Sequence, residues 1–391
     1  MKNIFIVSAL RTPFGSFGGT LADVTAPKLA SQVISELIRR TALPGEQVDE
    51  VIIGQVIQGG SAQAPARQAM RMAGLPDSVH AMTINKVCGS GLKAIMLAAD
   101  SIRLGDAQIV IAGGMENMSQ APYALPKARF GQRLGNSELV DLLIYDALLD
   151  PYSKRHMGEI TEDWVNQQSL SREEQDTYAA RSYTLSLAAV KSGTFADELI
   201  SVIKKSRKGV ITTVEDEEPF RGNIDKLPDL RPAFSKTGTV TAGNASTIND
   251  GAALALLAEE AAVIKHDLKP IARMVASATN SIHPDLFAEA PVDAIRKCCS
   301  KANLKLSDIG LFEINEAFAA VPLVAIKQLD LNPEIVNVNG GAVSIGHPVG
   351  ASGGRLVATL LREMRVRKVK YGLATLCIGG GEAVASIFEL V

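Results

Sequence analysis

Asn85-Lys86-Val87-Cys88-Gly89-Ser90-Gly91 opens a stretch in which Leu92, Ile95, Met96, Ala99 and Ile102 recur at helical spacing, and the apolar run Ile109-Val110-Ile111-Ala112-Gly113 follows. The pattern reads as turn, helix and buried strand, with Gly105 placed to close the helix. The same succession returns later: Gly346-His347-Pro348-Val349-Gly350, a helix with Leu356, Val357, Leu360, Leu361 and Met364 on one face, then Gly372–Leu376. Upstream, a helix ending near Arg40 leads through Asp49 to the strand Val51–Gly54, and one ending near Lys301 leads through Asp308 to the strand Leu311–Ile314. Asp49 precedes Cys88 by 88 − 49 = 39 residues, and Asp308 precedes His347 by 347 − 308 = 39. The spacing predicts an internal duplication within an α/β fold with parallel pairing. Cys88 and His347 then occupy equivalent strand-to-helix turns facing a shared centre.

Outward from these units, Met1–Val7 reads as a first strand and Pro27–Arg40 as a helix with proline in its first turn. The middle is more polar: a helical stretch over Thr161–Val190, a hairpin around Lys208-Gly209, and the acidic run Glu215–Glu218. It reads as an insertion, closed by Ile248-Asn249-Asp250-Gly251 leading into a helix over Ala252–Ala262. The predicted division is 1–118 plus 250–268 for the N-terminal half, 119–249 for an inserted loop domain that grips ligand, and 269–391 for the C-terminal half.

The formal charge of −2 over 391 residues gives no surface for nucleic acid or anionic membrane. No apolar run approaches the ~20 residues of a membrane span. Four cysteines without a C-x-x-C suit neither a disulfide scaffold nor structural zinc, and point to a reducing cytoplasm.

Cys88 beside Gly89-Ser90-Gly91 reads as a nucleophile or as a packed core thiol; at a helix N-terminus its pKa is expected to fall. His347, in a tight Gly-His-Pro turn, reads as a base for Cys88 or as a satisfied imidazole. Cys377, before Gly379-Gly380-Gly381, reads as an acid/base thiol above an anion pocket or as sheet packing. Asn315 caps the next helix or holds a water; Glu316 is an ion pair, a cap or an orienter of the histidine. Two thiols and one imidazole suit a two-stage acyl transfer.

Taken together, Arg11–Gly15, Asn85–Gly91, Gly113–Ser119, Thr239–Ser246, Asn315–Ala319, Asn339–Gly350 and Cys377–Gly381 resemble the thiolase family along the whole chain. His156-Met157-Gly158 brings it nearest to the biosynthetic type, whose activity is acetyl-CoA C-acetyltransferase. The resemblance implies a five-layered αβαβα fold of two similar halves with an inserted loop domain, in a homo-oligomer, dimer or tetramer. It implies reversible condensation of two acetyl-CoA to acetoacetyl-CoA plus CoA, with CoA as substrate and product and no metal or redox cofactor. By the same resemblance Cys88 carries the acetyl group, and His347 activates it and shares an oxyanion hole with a water on Asn315. Cys377 moves the α-proton, and the amides of Cys88 and Gly379 form a second hole. CoA contacts carry over to Leu148, His156, Met157, Arg221, Phe234, Ala242, Ser246, Ala317 and Phe318. Phe287 stands where bacterial biosynthetic members carry Met, in the acyl pocket. Two alternatives stay open: a degradative 3-ketoacyl-CoA thiolase for longer or 2-methyl-branched chains, and a non-catalytic acyl-CoA or lipid-binding relative.

Overall fold

The computed structural model describes residues 2–206 and 209–391. The first half runs β1 (Ile4–Arg11), β2 (Gly15–Ser16), α1 (Ala26–Thr41), β3 (Glu50–Gly54), α2 (Pro65–Met72), β4 (His80–Ile84), α3 (Ser90–Leu104) and β5 (Ile109–Asn117). The chain then leaves the sheet through β6 (Tyr123–Ala124), β7 (Val140–Asp141), α4 (Met157–Gln167), α5 (Arg172–Lys191), β8 (Val202–Ser206) and β9 (Gly209–Thr213). It returns as β10 (Asn249–Glu259) and α6 (Glu260–Lys265). The second half runs β11 (Ala272–Ser281), α7 (Ala290–Ala302), β12 (Leu311–Ile314), α8 (Ala320–Leu329), α9 (Ala342–Ile345), α10 (Ser352–Arg367), β13 (Tyr371–Ile378) and β14 (Glu382–Leu390).

The strand order β12-β13-β14-β11-β1-β10-β5-β3-β4 is a mirror about its middle. In each half an antiparallel inner trio (β1-β10-β5, or β11-β14-β13) passes to parallel outer strands. Parallel pairing is therefore confined to the flanks, narrower than the sequence pattern suggests. Among the described residues the strands of the two halves pair at two positions, Phe5↔Arg273 and Ile6↔Ala272.

Three apolar cores account for the layering. α1 and α2 cover one face of the first-half strands. α3 and α10 lie between the two sets of strands, and their Leu92, Ile95, Leu356 and Leu360 pack with residues from both. α7 and α8 close the far face. The succession is α, β, α, β, α. The central pair approach closely because a Cβ on Gly353 would sit 2.1 Å from the Leu92 amide nitrogen, and one on Gly91 2.9 Å from the Gly350 carbonyl oxygen. Only glycine fits there.

Two sequence expectations fail here. Ala252–Ala262 is mainly strand: β10 runs to Glu259 and only α6 is helical. An unbroken apolar run of that length suits either state, and every residue of β10 is buried because α1 covers one face and α10 the other. Thr161–Val190 is two helices, because Ser171 caps α5 with a reciprocal bond to Glu174 and Ser169 takes φ +53°. The hairpin is seen as β8 paired with β9, while Arg207 and Lys208, like Met1, lie outside the described residues. Gly105, at φ +90°, ends α3 as expected.

The excursion between β5 and β10 is tied back by Arg11, fully buried, which bonds Glu198 at 2.5 Å and Asp216 at 2.6 and 2.8 Å. Phe14 and Phe195 sandwich its guanidinium, with centroids at 5.4 and 5.0 Å. A buried cation between two carboxylates is tolerable only when all donors are used, and this one fixes the excursion against β1.

Candidate active site

Cys88 sits on a turn that holds itself. Asn85 Oδ1 accepts from the Val87 amide at 2.9 Å; Ser90 Oγ accepts from the Lys86 amide at 2.8 Å and donates to the Val87 carbonyl at 2.7 Å. This winding forces Val87 to φ +45°, a strained value for a β-branched residue, immediately before the thiol. Cys88 is half-buried. Gly89 allows the turn to press on the end of β13, since a Cβ there would lie 2.3 Å from Ile378 Cδ1.

That contact brings the two thiols together. Cys377, on β13 and 1% exposed, is near enough to Cys88 for each ionised sulfur to oppose the other, and the Gly379 amide points at the Cys88 sulfur. Burial pushes Cys88 up to about 11, with the Gly379 amide pulling it back. The expected fall at a helix N-terminus is overturned. Cys88 precedes the first residue of α3 by two positions, and desolvation of the thiolate outweighs the amides. Burial, then the Cys88 charge, push Cys377 higher still.

His347 is 5% exposed. Its backbone amide donates to Asn249 Oδ1 at 2.9 Å, and a Cβ on Gly346 (φ +107°) would strike that same side chain. Its Nδ1 lies 2.5 Å from Ser352 Oγ, whose own proton goes to the Pro348 carbonyl at 3.0 Å. Ser352 can therefore only accept, so Nδ1 carries the ring proton and Nε2 presents its lone pair. Asn315 Nδ2 stands 3.4 Å from Nε2. Burial, helped by the Arg355 cation, lowers His347 to about 3, so the ring is neutral.

Asn315 is not a helix cap: α8 starts at Ala320, and the Asn315 amide donates to Thr375. Glu316 forms neither a cap nor an ion pair among the described residues. It accepts from Tyr178, Ser182, Asn337 and the Val343 amide, fixing α5 and α9 rather than touching the imidazole.

Several of the remaining candidates form an aromatic wall, which Met157 brings up to Gly379. Met157 Sδ would lie 3.5 Å from a Cβ on Gly379. His156 stacks on Phe234 at 5.0 Å; Phe318 meets Phe234 and Phe287 edge-on, each at 6.4 Å. Phe234 lies flat over Gly158, where a Cβ would be 2.3 Å from the ring. The Ser246 amide donates to the Ala317 carbonyl at 3.0 Å. Leu148 and Cys88 pack on one cluster with Val56, Met118 and Val349. Ala242 is exposed on the Thr241–Ala245 turn. Arg221 is exposed and lines a surface cavity with Thr20, Ile211 and Phe220, which shares no residue with the aromatic wall.

Three residues go unsingled in the sequence. Ser352 sets the imidazole tautomer, Asn249 holds the His347 turn, and Glu116 accepts from the Val56, Ile57 and Gly350 amides at 2.9, 3.2 and 3.0 Å. Burial raises the Glu116 carboxyl to about 7 against the pull of those amides. Its motif, Gly113–Ser119, is visible in the sequence; its partners are not.

Two thiols and a neutral imidazole on a duplicated α/β frame are groups that acyl-transfer chemistry employs. The family model described as Thiolase, N-terminal domain matches residues 4–261, and Thiolase, C-terminal domain matches 268–390. The chain belongs to the thiolase family. An acetyl-CoA acetyltransferase of Pseudomonas aeruginosa is 49% identical over 98% of each chain. One of Cupriavidus necator is 48% identical over the full length of both. A probable acetyl-CoA acyltransferase of Staphylococcus aureus is 46% identical over 99% of each. The crystal structure of the Bacillus anthracis acetyl-CoA acetyltransferase superposes with a TM-score of 0.98 at 43% identity, covering 100% of this chain and 99% of that one.

Proposed function

We propose that the enzyme catalyses the reversible condensation of two acetyl-CoA to acetoacetyl-CoA and CoA through an acetyl group on Cys88. The reading is supported by Cys377 lying within reach of the Cys88 charge, and by a neutral, tautomer-fixed His347 two residues before Val349, which packs in the same cluster as Cys88. In the first stage Cys88 gives its proton to His347 Nε2, and its sulfur bonds the acetyl carbon. The C–S bond to CoA breaks, and the departing thiolate takes its proton from Cys377. In the second stage the Cys377 thiolate removes an α-proton from the next acetyl-CoA. The enolate carbon bonds the acetyl carbon, Cys88 departs, and it recovers its proton from the imidazolium. Both thiols and the neutral imidazole are restored.

The two stages fall in this order for an electrostatic reason. Once acetylated, Cys88 can no longer ionise, so no charge on it opposes the Cys377 thiolate that the second stage needs. The imidazolium and a water on Asn315 face the enolate oxygen, and the Cys88 and Gly379 amides face the acetyl oxygen; each such donor is worth roughly 3–4 kcal/mol. The thioester acidifies its own α-carbon, so these steps call on no metal or redox group.

Residues 119–249 grip CoA against the two halves, 1–118 with 250–268 and 269–391. Leu148, His156, Met157, Phe234, Ala242, Ser246, Ala317 and Phe318 line the pantetheine arm, Phe287 bounds the acyl end and Arg221 serves the nucleotide end. The exposed Phe130 and Leu134 support assembly with further copies of the chain. Catalytic thiols that must stay reduced suit the cytoplasm.

Intact-mass and peptide analysis after incubation with acetyl-CoA tests the reading. Acetyl is expected on Cys88, lost in Cys88→Ala and retained in Cys377→Ala, which forms no acetoacetyl-CoA. Acetyl on Cys377, or condensation by Cys377→Ala, refutes the assignment.

A further inference from the structure

We propose that Glu116 is a positioning residue for the acylation stage, a bracket that sets the separation between the Cys88 turn and the His347 turn. The inference rests on the reading of Cys88 as the acetylated residue. One carboxylate oxygen accepts from the Val56 amide at 2.9 Å and the Gly350 amide at 3.0 Å, and the other from the Ile57 amide at 3.2 Å. Gly350 stands three residues after His347. On the other arm, Asn85 Nδ2, at the root of the Cys88 turn, donates to the Val56 carbonyl at 3.3 Å. One fully buried side chain thus ties the base's turn, in the second half, to the segment on which the nucleophile's turn leans, in the first.

The geometry asks for a carboxylate. Three amide donors converge on two oxygens, and no cation pairs with Glu116 among the described residues. Glutamine has the same shape but turns one acceptor into an NH2 donor facing an N–H, so at least one strap opens. Aspartate is one methylene short of the same three amides. There is also no room for the strap to be remade by shifting: a Cβ on Gly350 would lie 2.6 Å from the Met115 carbonyl oxygen, and one on Gly114 1.8 Å from the Gly350 carbonyl oxygen. The backbones are already in contact, and the carboxylate holds them in register.

A bracket of this kind acts on the encounter of thiol and imidazole, not on substrate affinity, because it hydrogen-bonds neither CoA-lining residue nor reacting atom; its charge does oppose ionisation of Cys88, so loss of the charge alone would speed acetylation rather than slow it. The test follows acetylation of Cys88 by acetyl-CoA in rapid-quench mass spectrometry on the whole enzyme. Glu116→Gln is expected to acetylate about 10- to 100-fold more slowly, the effect of a misplacement on the order of 1 Å, with the KM for acetyl-CoA within about twofold of wild type. An acetylation rate within twofold of wild type, or a raised KM at unchanged kcat, overturns the proposal. If Glu116→Gln does not fold, Asn85→Asp replaces it. That variant keeps the acceptor for the Val87 amide and turns the donor to Val56 into a charged oxygen that repels the Val56 carbonyl, which opens the other arm of the bracket; a several-fold slower acetylation is expected, and an unchanged rate overturns the proposal. Absence of acetyl-Cys88 in the wild type would instead refute the parent reading.

Discussion

The turns carrying Cys88 and His347 occupy matching places in two copies of one topology, yet they are held in different ways. The Cys88 turn is wound from within by Asn85 and Ser90 of its own loop, with outside ties from Asn85 to Val56 and from Lys86 to Glu382, and leaves its thiol half-buried behind a strained Val87. The His347 turn is held largely from the other half, by Asn249 on β10 and Glu116 on β5, with its ring 5% exposed. Under the roles proposed above, the difference fits the chemistry: a nucleophile must meet and then release a bulky thioester and needs access, whereas a base moves only a proton and can be fixed and dry.

The largest expected effect tests the base. His347→Ala should slow acetylation of Cys88 by roughly 10²- to 10⁴-fold; a loss under tenfold would remove His347 from the first stage. With the folded value lowered to about 3 by burial, the imidazole stays neutral down to that pH. The unfolded chain takes up the proton near 6.5, so stability from this group is present above 6.5 and is lost as pH falls towards 3, at about 1.4 kcal/mol per pH unit. Denaturation of wild type against His347→Asn across that window should show this extra acid sensitivity in the wild type only. Parallel curves would mean a solvated ring.

Next is the contact between the turns' helices. Gly353→Ala drives a methyl into the Leu92 amide, a backbone contact that cannot swing aside. A loss of about 1–3 kcal/mol in denaturant unfolding is expected, with slower acetylation. Unchanged stability would mean that α3 and α10 are less tightly crossed than described.

The smallest effect sharpens the role of Ser352. Ser352→Ala removes the acceptor that fixes the ring proton on Nδ1 and should slow acetylation about tenfold, whereas Ser352→Thr should keep most of the rate. Nitrogen-15 NMR of the ring should show mixed tautomers in the alanine variant; a single Nδ1–H tautomer there would assign the proton's placement to something else.

The strand-turn-helix units and the duplicated frame are legible in the sequence because each rests on local periodicity, and the candidate reactive side chains stand out there because each lies beside glycines. What is not legible depends on distant partners. Asn249 meets His347 across 98 residues, and Glu116 meets Gly350 across 234. β10 resembles a helix in sequence because a strand covered on both faces loses its alternation. Asn315 has the composition of a cap, and only the late start of α8 frees its side chain for the imidazole. The thiol's basicity was equally out of reach, since burial, rather than position along a helix, decides its sign.

The narrow seam of two residue pairs between β1 and β11 leaves the helices at the centre as the main common ground of the halves. A molecule with only its first half in place would hold a sulfur with no proton acceptor beside it, and one with only its second half would hold a base whose loop lacks the Asn249 and Glu116 supports. Under the proposed roles, reactivity therefore arrives only with completed assembly.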